Sequence, residues 1–228
     1  MLTAVAAALV LTPAKYTMKT LAVKVKDQYE AKLQYPEFSS NSAVAQLANK
    51  EALKFVKSQF GEFEQFTKEF FSEEGSAPSE WYHEAYPTIS VANDSVISII
   101  WYQYDYSGGA HPNRFYTSRT VVSTGKNSAE VFEFKDLFIN ESAEMVFRTT
   151  VLSSLVEKER TSRMGEPTEM LTLTPEQCAD FVLTPSGIAF MFQPYAVGSY
   201  VEGEYMVKMK WSELSQYVKP MLAKAVQK

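Results

Sequence analysis

The feature that most constrains the fold is a long run of apolar residues at helical spacing in the first third of the chain. Asn41 or Ser42 can cap its start, and Gly75 marks its end. The apolar positions that fall on one side are Val44, Leu47, Ala48, Ala52, Phe55, Val56, Phe63, Phe66 and Phe70. A stripe this long and this aromatic predicts an amphipathic helix that packs its Phe side chains against a sheet.

Strand-like segments on both sides of this helix supply the sheet. Leu21–Val25 and Tyr29–Tyr35 alternate apolar and polar residues, which is typical of strands with one solvated face. Further strands are predicted at Trp81–Val91, Val96–Tyr106, Arg114–Val122, Val131–Phe134, Phe181–Leu183, Ile188–Phe192 and Tyr205–Met209. A second helix is predicted over about Asn140–Arg160, and Ser212 can cap a terminal helix that Pro220 can kink.

This order of elements predicts an α+β fold, with an antiparallel sheet and long amphipathic helices packed on one of its faces. Three regions are predicted along the chain. Residues 1–14 resemble a signal remnant, because the apolar Leu2–Leu11 run ends in Thr12-Pro13-Ala14. Residues 15–75 hold the N-terminal strands and long helix, and 76–228 hold the remaining α+β domain. The boundary near Gly75 is soft, so the two can form one unit.

Composition narrows the classes of function. The formal net charge of −5 argues against nucleic acid as a partner and allows a cationic protein partner. Cys178 is the only cysteine, which excludes an intrachain disulfide. With His83 and His111 as the only histidines, neither a metal site nor a cofactor is predicted. The apolar run at the start is too short for a membrane-spanning helix, so no integral membrane span is predicted.

Two loops between hydrophobic runs carry the residues best suited to recognition. The first contains Ser107, Gly108, Gly109, Ala110 and His111, followed by Pro112. The second runs from Pro194 to Gly203 and includes Tyr195 and Tyr200. Each loop combines flexible Gly, stiff Pro and amphipathic rings, a composition typical of surface loops that bind a partner. We therefore predict that the loops meet at one end of the sheet and form a binding surface.

These motifs also support a family resemblance. The residues that carry it are Tyr35-Pro36, the long helix through Phe70, Ser107–Pro112, Thr124-Gly125-Lys126, Phe134-x-Asp136-Leu137-Phe138, Phe181-x-Leu183-x-x-x-Gly187-Ile188-x-Phe190 and Pro194-Tyr195. In their order and spacing, the chain from Tyr16 onward resembles the extracytoplasmic domain of the lysozyme-responsive anti-sigma factor of Gram-positive bacteria. The same domain occurs at the N-terminus of certain peptidoglycan deacetylases. The resemblance implies an extracytoplasmic location, periplasmic or secreted, and lysozyme or peptidoglycan as a partner.

One departure from the family pattern affects the second loop. The family usually has a second Pro-Tyr pair where this chain has Ser199-Tyr200, and Gly198 stands where Ala is common. Gly198 predicts a more flexible loop. The catalytic domain of the deacetylases is absent from this chain, so the resemblance does not carry their activity over.

Three hypotheses of function follow. The first is a non-enzymatic binding protein that recognises a cell-wall-associated partner through the two loops. The second is a hydrolase of envelope polymers that uses Ser107 as nucleophile and His111 as base, although no Gly-x-Ser-x-Gly motif or orienting acid is evident. Asp105 is close to Ser107 and His111 in the sequence, but the sequence does not show where its side chain points. The third is a structural domain for envelope assembly with no small ligand.

Overall fold

A computed structural model describes residues 14–165 and 171–227 and shows a large β-sheet with a long helix on one face and a small β-sheet on the other. The strands are Tyr16–Val25 (β1), Tyr29–Phe38 (β2), Trp81–Ala92 (β3), Val96–Tyr106 (β4), Asn113–Gly125 (β5), Ser128–Phe132 (β6), Phe181–Thr184 (β7), Gly187–Phe192 (β8) and Tyr205–Lys210 (β9). The α-helices are Ala43–Glu74 (α1), Glu141–Val146 (α2), Ser153–Met164 (α3), Trp211–Leu214 (α4) and Pro220–Val226 (α5). A π-helical segment, Phe147–Leu152, joins α2 to α3. The predicted signal remnant at residues 1–14 lies, except for Ala14, outside the described residues.

The α+β class is confirmed, but the predicted antiparallel sheet is wrong in one pairing. The large sheet has the strand order β1-β2-β3-β4-β5-β6, and the small sheet has the order β7-β8-β9. β2 and β3 pair in parallel, so the large sheet is mixed. The reason is the connection. β2 and β3 are joined by the 32-residue α1, which crosses back over the sheet and lets the next strand run in the same direction.

Helix α1 covers one face of the large sheet, as its apolar stripe predicts. The Ser42 hydroxyl accepts the Ala45 N–H at 3.2 Å, and Gly75 ends the helix with φ of +76°. Phe55 packs against Trp101 of β4, with ring centroids 4.7 Å apart. The predicted stripe is wrong at Phe66, which is 50% exposed and only stacks on Trp81. Phe71, which the stripe did not include, is buried instead. Near the helix end the buried positions are Phe63, Thr67 and Phe71, four residues apart, and Phe66 lies off this face.

The small sheet packs against the other face of the large sheet. The edge strand β7 directs its free N–H groups at the large sheet, where Ser118 Oγ accepts from Phe181 N and Ser98 Oγ accepts from Leu183 N, both at 3.0 Å. The α2–α3 helix packs on the small sheet rather than on the large one, through a cluster that includes Phe147 and Phe190. Within residues 14–165 and 171–227, α1 alone therefore fills the predicted role of a helix layer on the large sheet.

The C-terminal part differs from the single kinked helix that the sequence predicts. Two short helices, α4 and α5, are separated at Ser215–Lys219, and Pro220 begins α5 at its first position, where proline's missing N–H costs nothing. Within residues 14–165 and 171–227, no helix combines the length and the apolar character needed to cross a membrane.

Candidate functional site

The first loop, residues 107–112, joins β4 to β5 in a conformation that depends on its glycines. Gly108 has φ of +94° and Gly109 has φ of +107°, in the region that residues with a Cβ rarely occupy. The Tyr106 hydroxyl donates to the Gly109 carbonyl at 3.1 Å and so holds the turn against the end of β4. Residues 108–111 are exposed. The loop therefore presents backbone and the His111 ring to solvent.

The second loop, residues 194–203, begins at a firm anchor, Gln193. The Gln193 amide pairs with both backbone groups of Tyr116 in β5, accepting from the N–H at 2.9 Å and donating to the carbonyl at 2.8 Å. It also donates to the Asp180 carboxylate at 2.7 Å. Since β5 starts directly after the first loop, this clamp ties the start of the second loop to the strand that the first loop leads into.

Glu202 anchors the other end of the second loop. Its carboxylate accepts hydrogen bonds from the Tyr205 hydroxyl at 2.7 Å and from the Ser199 N–H at 2.7 Å, and Arg160 Nε lies 3.3 Å from it. The Tyr205 hydroxyl first, and the Ser199 N–H next, stabilise the charged form and lower the pKa of Glu202 to about 2. The loop is therefore held by one ionised carboxylate at its C-terminal end.

Gly198 has a packing role in this arrangement. A Cβ added at position 198 would lie 2.4 Å from the Glu202 carboxylate, closer than any real contact. The absent side chain lets the anchoring carboxylate approach the loop backbone. The structure thus gives a reason for Gly198 that differs from the flexibility predicted from the family pattern.

The two loops touch through their aromatic rings. The His111 ring stacks on the Tyr200 ring, with centroids 4.4 Å apart and planes 16° apart. The Tyr200 hydroxyl donates to the Pro112 carbonyl at 3.0 Å. Tyr195 continues the stack at 5.4 Å from Tyr200 and is 69% exposed, with φ of +68°. His111, Tyr200 and Tyr195, here called the ring stack, therefore join the predicted loop residues into one continuous surface.

The geometry does not assemble the hydrolase that Ser107 and His111 suggested. In the described residues Ser107 makes no hydrogen bond to His111, whose Nδ1 lies 3.1 Å from the Pro112 carbonyl oxygen. Asp105 faces the α1 side of the sheet, where Oδ1 lies 3.5 Å from Nδ1 of the buried His83. Among the same residues, no group of three or more His, Cys, Asp and Glu side chains is placed to hold a metal ion.

A row of tyrosines next to the loops was missed in the sequence. β3 and β4 place Tyr82, Tyr104 and Tyr106 on the face opposite α1, beyond the area that the small sheet covers. The rings of Tyr82 and Tyr106 are 5.7 Å apart, and the Arg114 guanidinium lies 5.6 Å from the Tyr104 centroid. The alternation of Tyr with other residues in both strands was the signal, but it was interpreted only as strand propensity.

This face, here called the tyrosine face, contains a shallow cavity. The cavity is about 380 Å³ in volume, and its lining residues are Glu30, Glu80, Trp81, Tyr82, Glu84 and Tyr104. The first loop, which carries His111, reaches the same face, since the Tyr106 hydroxyl donates to the Gly109 carbonyl at 3.1 Å. The ring stack and the tyrosine face therefore adjoin one another.

Two family models match the chain. The one described as Deacetylase PdaC matches residues 22–114, and the one described as Protein of unknown function (DUF3298) matches residues 135–212. The first therefore ends within the strand that follows the first loop, and the second contains the whole second loop. The predicted resemblance to this family is confirmed. A search of curated protein sequences finds no match.

Two crystal structures of DUF3298 family proteins share the fold. The protein from Pseudomonas aeruginosa PAO1 is 15% identical, with a TM-score of 0.63, and the match covers 91% of this chain and 96% of that one. The protein from Bacteroides fragilis NCTC 9343 is 12% identical, with a TM-score of 0.64, and the match covers 95% and 99%. Residues 22–114 thus resemble the PdaC family and residues 135–212 the DUF3298 family, and these matches suggest an extracytoplasmic domain.

Proposed function

We propose that this protein is a non-enzymatic extracytoplasmic binding protein that recognises a cell-wall-associated partner, with lysozyme first and peptidoglycan second. The observation that carries the proposal is the ring stack, in which His111 of one loop and Tyr200 of the other lie 4.4 Å apart. Stacked rings with paired hydroxyls offer a large contact area at little further cost in conformational entropy, which is the character of interface hot spots.

The anchoring of the loops supports a binding role. Gln193 and Glu202 hold the two ends of the second loop through hydrogen bonds to β5 and β9. A loop that is already ordered loses less entropy when a partner binds than a loop that must be ordered on contact. The exposed Tyr195 therefore lies on a loop that is already ordered, and we expect its ring to be the main contact for a partner.

Charge supports lysozyme as the partner. The chain carries a net charge of −5, and Glu30, Glu80 and Glu84 border the tyrosine face. The family resemblance points to lysozyme, which is cationic, so electrostatic attraction would accelerate its association. Because such attraction is screened by salt, the affinity for lysozyme should fall as ionic strength rises.

Calorimetry with lysozyme and co-sedimentation with insoluble peptidoglycan test the proposal. Ser107→Trp should block the surface sterically, and Tyr195→Ala should remove an anchor whose loss weakens binding by about 2 kcal/mol. Tyr16→Ala is the matched control, since Tyr16 is also exposed but lies at the opposite end of the large sheet. If the wild type binds neither material, the proposed partner is wrong. If all variants bind equally well, the proposed surface is wrong.

The extracytoplasmic location has its own test. We expect the mature protein to begin near Lys15 and to be recovered outside the cytoplasm, because the Leu2–Leu11 run has the character of a signal remnant. N-terminal sequencing of the cell-derived protein checks this expectation. An intact Met1 in a cytosolic fraction would contradict it.

A further inference from the structure

A separate and larger cleft lies between the two family-matched parts of the chain, away from the loops. Its volume is about 710 Å³, within the range of small-molecule sites. Its lining includes Glu51 of α1, Arg119 of β5, Glu144 of α2 and Ala179. Residues from both family-matched parts and from the segment between them line the cleft, a position typical of binding sites at domain junctions.

The floor of the cleft is apolar. Phe132, Phe134 and Phe181 line it, and each is at most 8% exposed, so their rings are held in fixed positions by the core. Apolar lining combined with a few polar groups at the edge is the usual composition of a pocket that orients a small ligand. The site therefore suits a ligand with an apolar body and charged ends.

Arg119 is the cation in the cleft that is free to bind. In the described part of the chain its guanidinium forms no ion pair, and one nitrogen donates to the neighbouring Ser118 carbonyl at 2.7 Å. Asp180 is close enough for Arg119 to lower its pKa against the larger raising effect of burial. However, its two oxygens already accept from Ser118 and Gln193. Several guanidinium donors thus remain for a ligand carboxylate, which arginine can bind in a bidentate manner.

The carboxylates that line the cleft differ in whether they already have a partner. Glu133 is paired with Lys135 at 2.7 Å, and Glu144 is paired with Arg148. Glu51 borders the cleft and forms no ion pair within the described residues, whereas the exposed Glu176 accepts from its own backbone N–H and from Thr174, which lower its pKa. Glu51 and Arg119 also line a smaller adjoining cavity of about 220 Å³, so both side chains border a continuous space. Free groups of both signs therefore surround an apolar floor.

We propose that this cleft binds a zwitterionic peptide, a short peptide with a free amino and a free carboxyl terminus. Its carboxylate pairs with Arg119, its apolar side chain rests on the Phe floor, and its ammonium group faces Glu51. A simple anion would leave the Glu51 carboxylate without a partner, and a simple cation would leave the Arg119 guanidinium without one. A ligand that carries both charges avoids each of these desolvation penalties.

Calorimetric titration with alanyl-phenylalanine tests the site, with N-acetyl-alanyl-phenylalanine and alanyl-phenylalaninamide as probes that lack one charge each. The free dipeptide should bind saturably, and each blocked form should bind about 10- to 100-fold more weakly, because each loses a charge-assisted contact. Absence of saturable binding by the free dipeptide would overturn the proposal. So would equal affinity for the free and blocked forms.

Substitutions test whether the dipeptide binds in the cleft. Arg119→Gln should weaken dipeptide binding about 10- to 100-fold, and Ala179→Trp should abolish it by filling the cleft from an exposed position. Lys126→Gln removes an exposed cation from the β5–β6 turn and should leave binding unchanged. Circular dichroism and melting curves confirm that each variant is folded. Persistence of dipeptide binding in both cleft variants would contradict this location. Because none of these residues belongs to the loops, binding of lysozyme or peptidoglycan should be unaffected.

Discussion

The two faces of the large sheet are built from similar aromatic residues but serve different ends. On the α1 face, Phe55 and Phe63 are each 7% exposed and pack on Trp101 and His83. On the opposite face, the small sheet covers one part and leaves the tyrosine face and the ring stack in contact with solvent. Aromatic content alone thus does not distinguish a core from a recognition surface. What distinguishes them is whether another layer covers the rings.

Truncating one ring on each face should give the largest contrast. We expect Phe55→Ala to lower the free energy of unfolding by roughly 3–5 kcal/mol, because the cavity left between α1 and Trp101 cannot close fully. Tyr104→Ala on the tyrosine face should cost less than about 1 kcal/mol, since its ring is only half-buried. Urea denaturation measures both. Comparable losses in the two variants would remove the distinction between the faces.

The anchor of the second loop should give the next largest effect. Gln193→Leu keeps the side-chain size but leaves the Tyr116 backbone groups and Asp180 without their partner, so we expect a loss of about 2–3 kcal/mol in unfolding free energy. Gln65→Leu, at an exposed position of α1, is the control and should change stability by less than about 0.5 kcal/mol. Equal effects would mean that Gln193 does not anchor the loop.

Glu202, the second anchor of the loop, should make the stability of the protein depend on pH. The folded-state pKa of Glu202 is about 2, below the ordinary value of 4.5, so its contribution is fully present above pH 4.5 and is lost as pH falls towards 2. We expect the stability advantage of the wild type over Glu202→Gln to be constant above pH 4.5 and to shrink below it. Glu73→Gln, in an exposed part of α1, should give no such trend. A pH-independent difference would contradict the anchor.

The smallest effect on stability is expected at the ring that we propose as the binding anchor. Tyr195 is 69% exposed, so Tyr195→Ala should change the free energy of unfolding by less than about 0.5 kcal/mol. The same change should weaken binding of the wall-associated partner by about 2 kcal/mol. Thermal melts and titrations on one preparation measure the two quantities. A large loss of stability with unchanged affinity would assign Tyr195 to the core instead.

Local patterns predicted most elements of the fold but not how they pair. The helix from Ser42 to Gly75 and the strands around the Gly108-Gly109 turn follow from caps, alternation and turn residues, which act over a few positions. The parallel pairing of β2 with β3 depends on where α1 returns the chain, which no local pattern records. The exposure of Phe66 likewise depends on which side of α1 faces the sheet, since Phe63, Thr67 and Phe71 take the buried positions.

The sequence indicated the residues of the two loops but few of the contacts that hold the loops in place. Both loops were identified from Gly, Pro and Tyr, and the structure places His111 against Tyr200. The anchors Gln193 and Glu202 were missed because an amide or a carboxylate in a loop has no sequence signal until its partners are known. The cleft at Arg119 was missed for the same reason: its walls come from segments that are distant in the sequence.

Hydrogen exchange with and without the bound partner tests the central claim most directly. If the two loops form one recognition surface, residues 107–112 and 194–203 should become protected together when lysozyme or a peptidoglycan fragment binds, while the covered face along Ala43–Glu74 keeps its exchange rates. Protection confined to a single loop, or located on α1 while both loops remain unchanged, would contradict the claim.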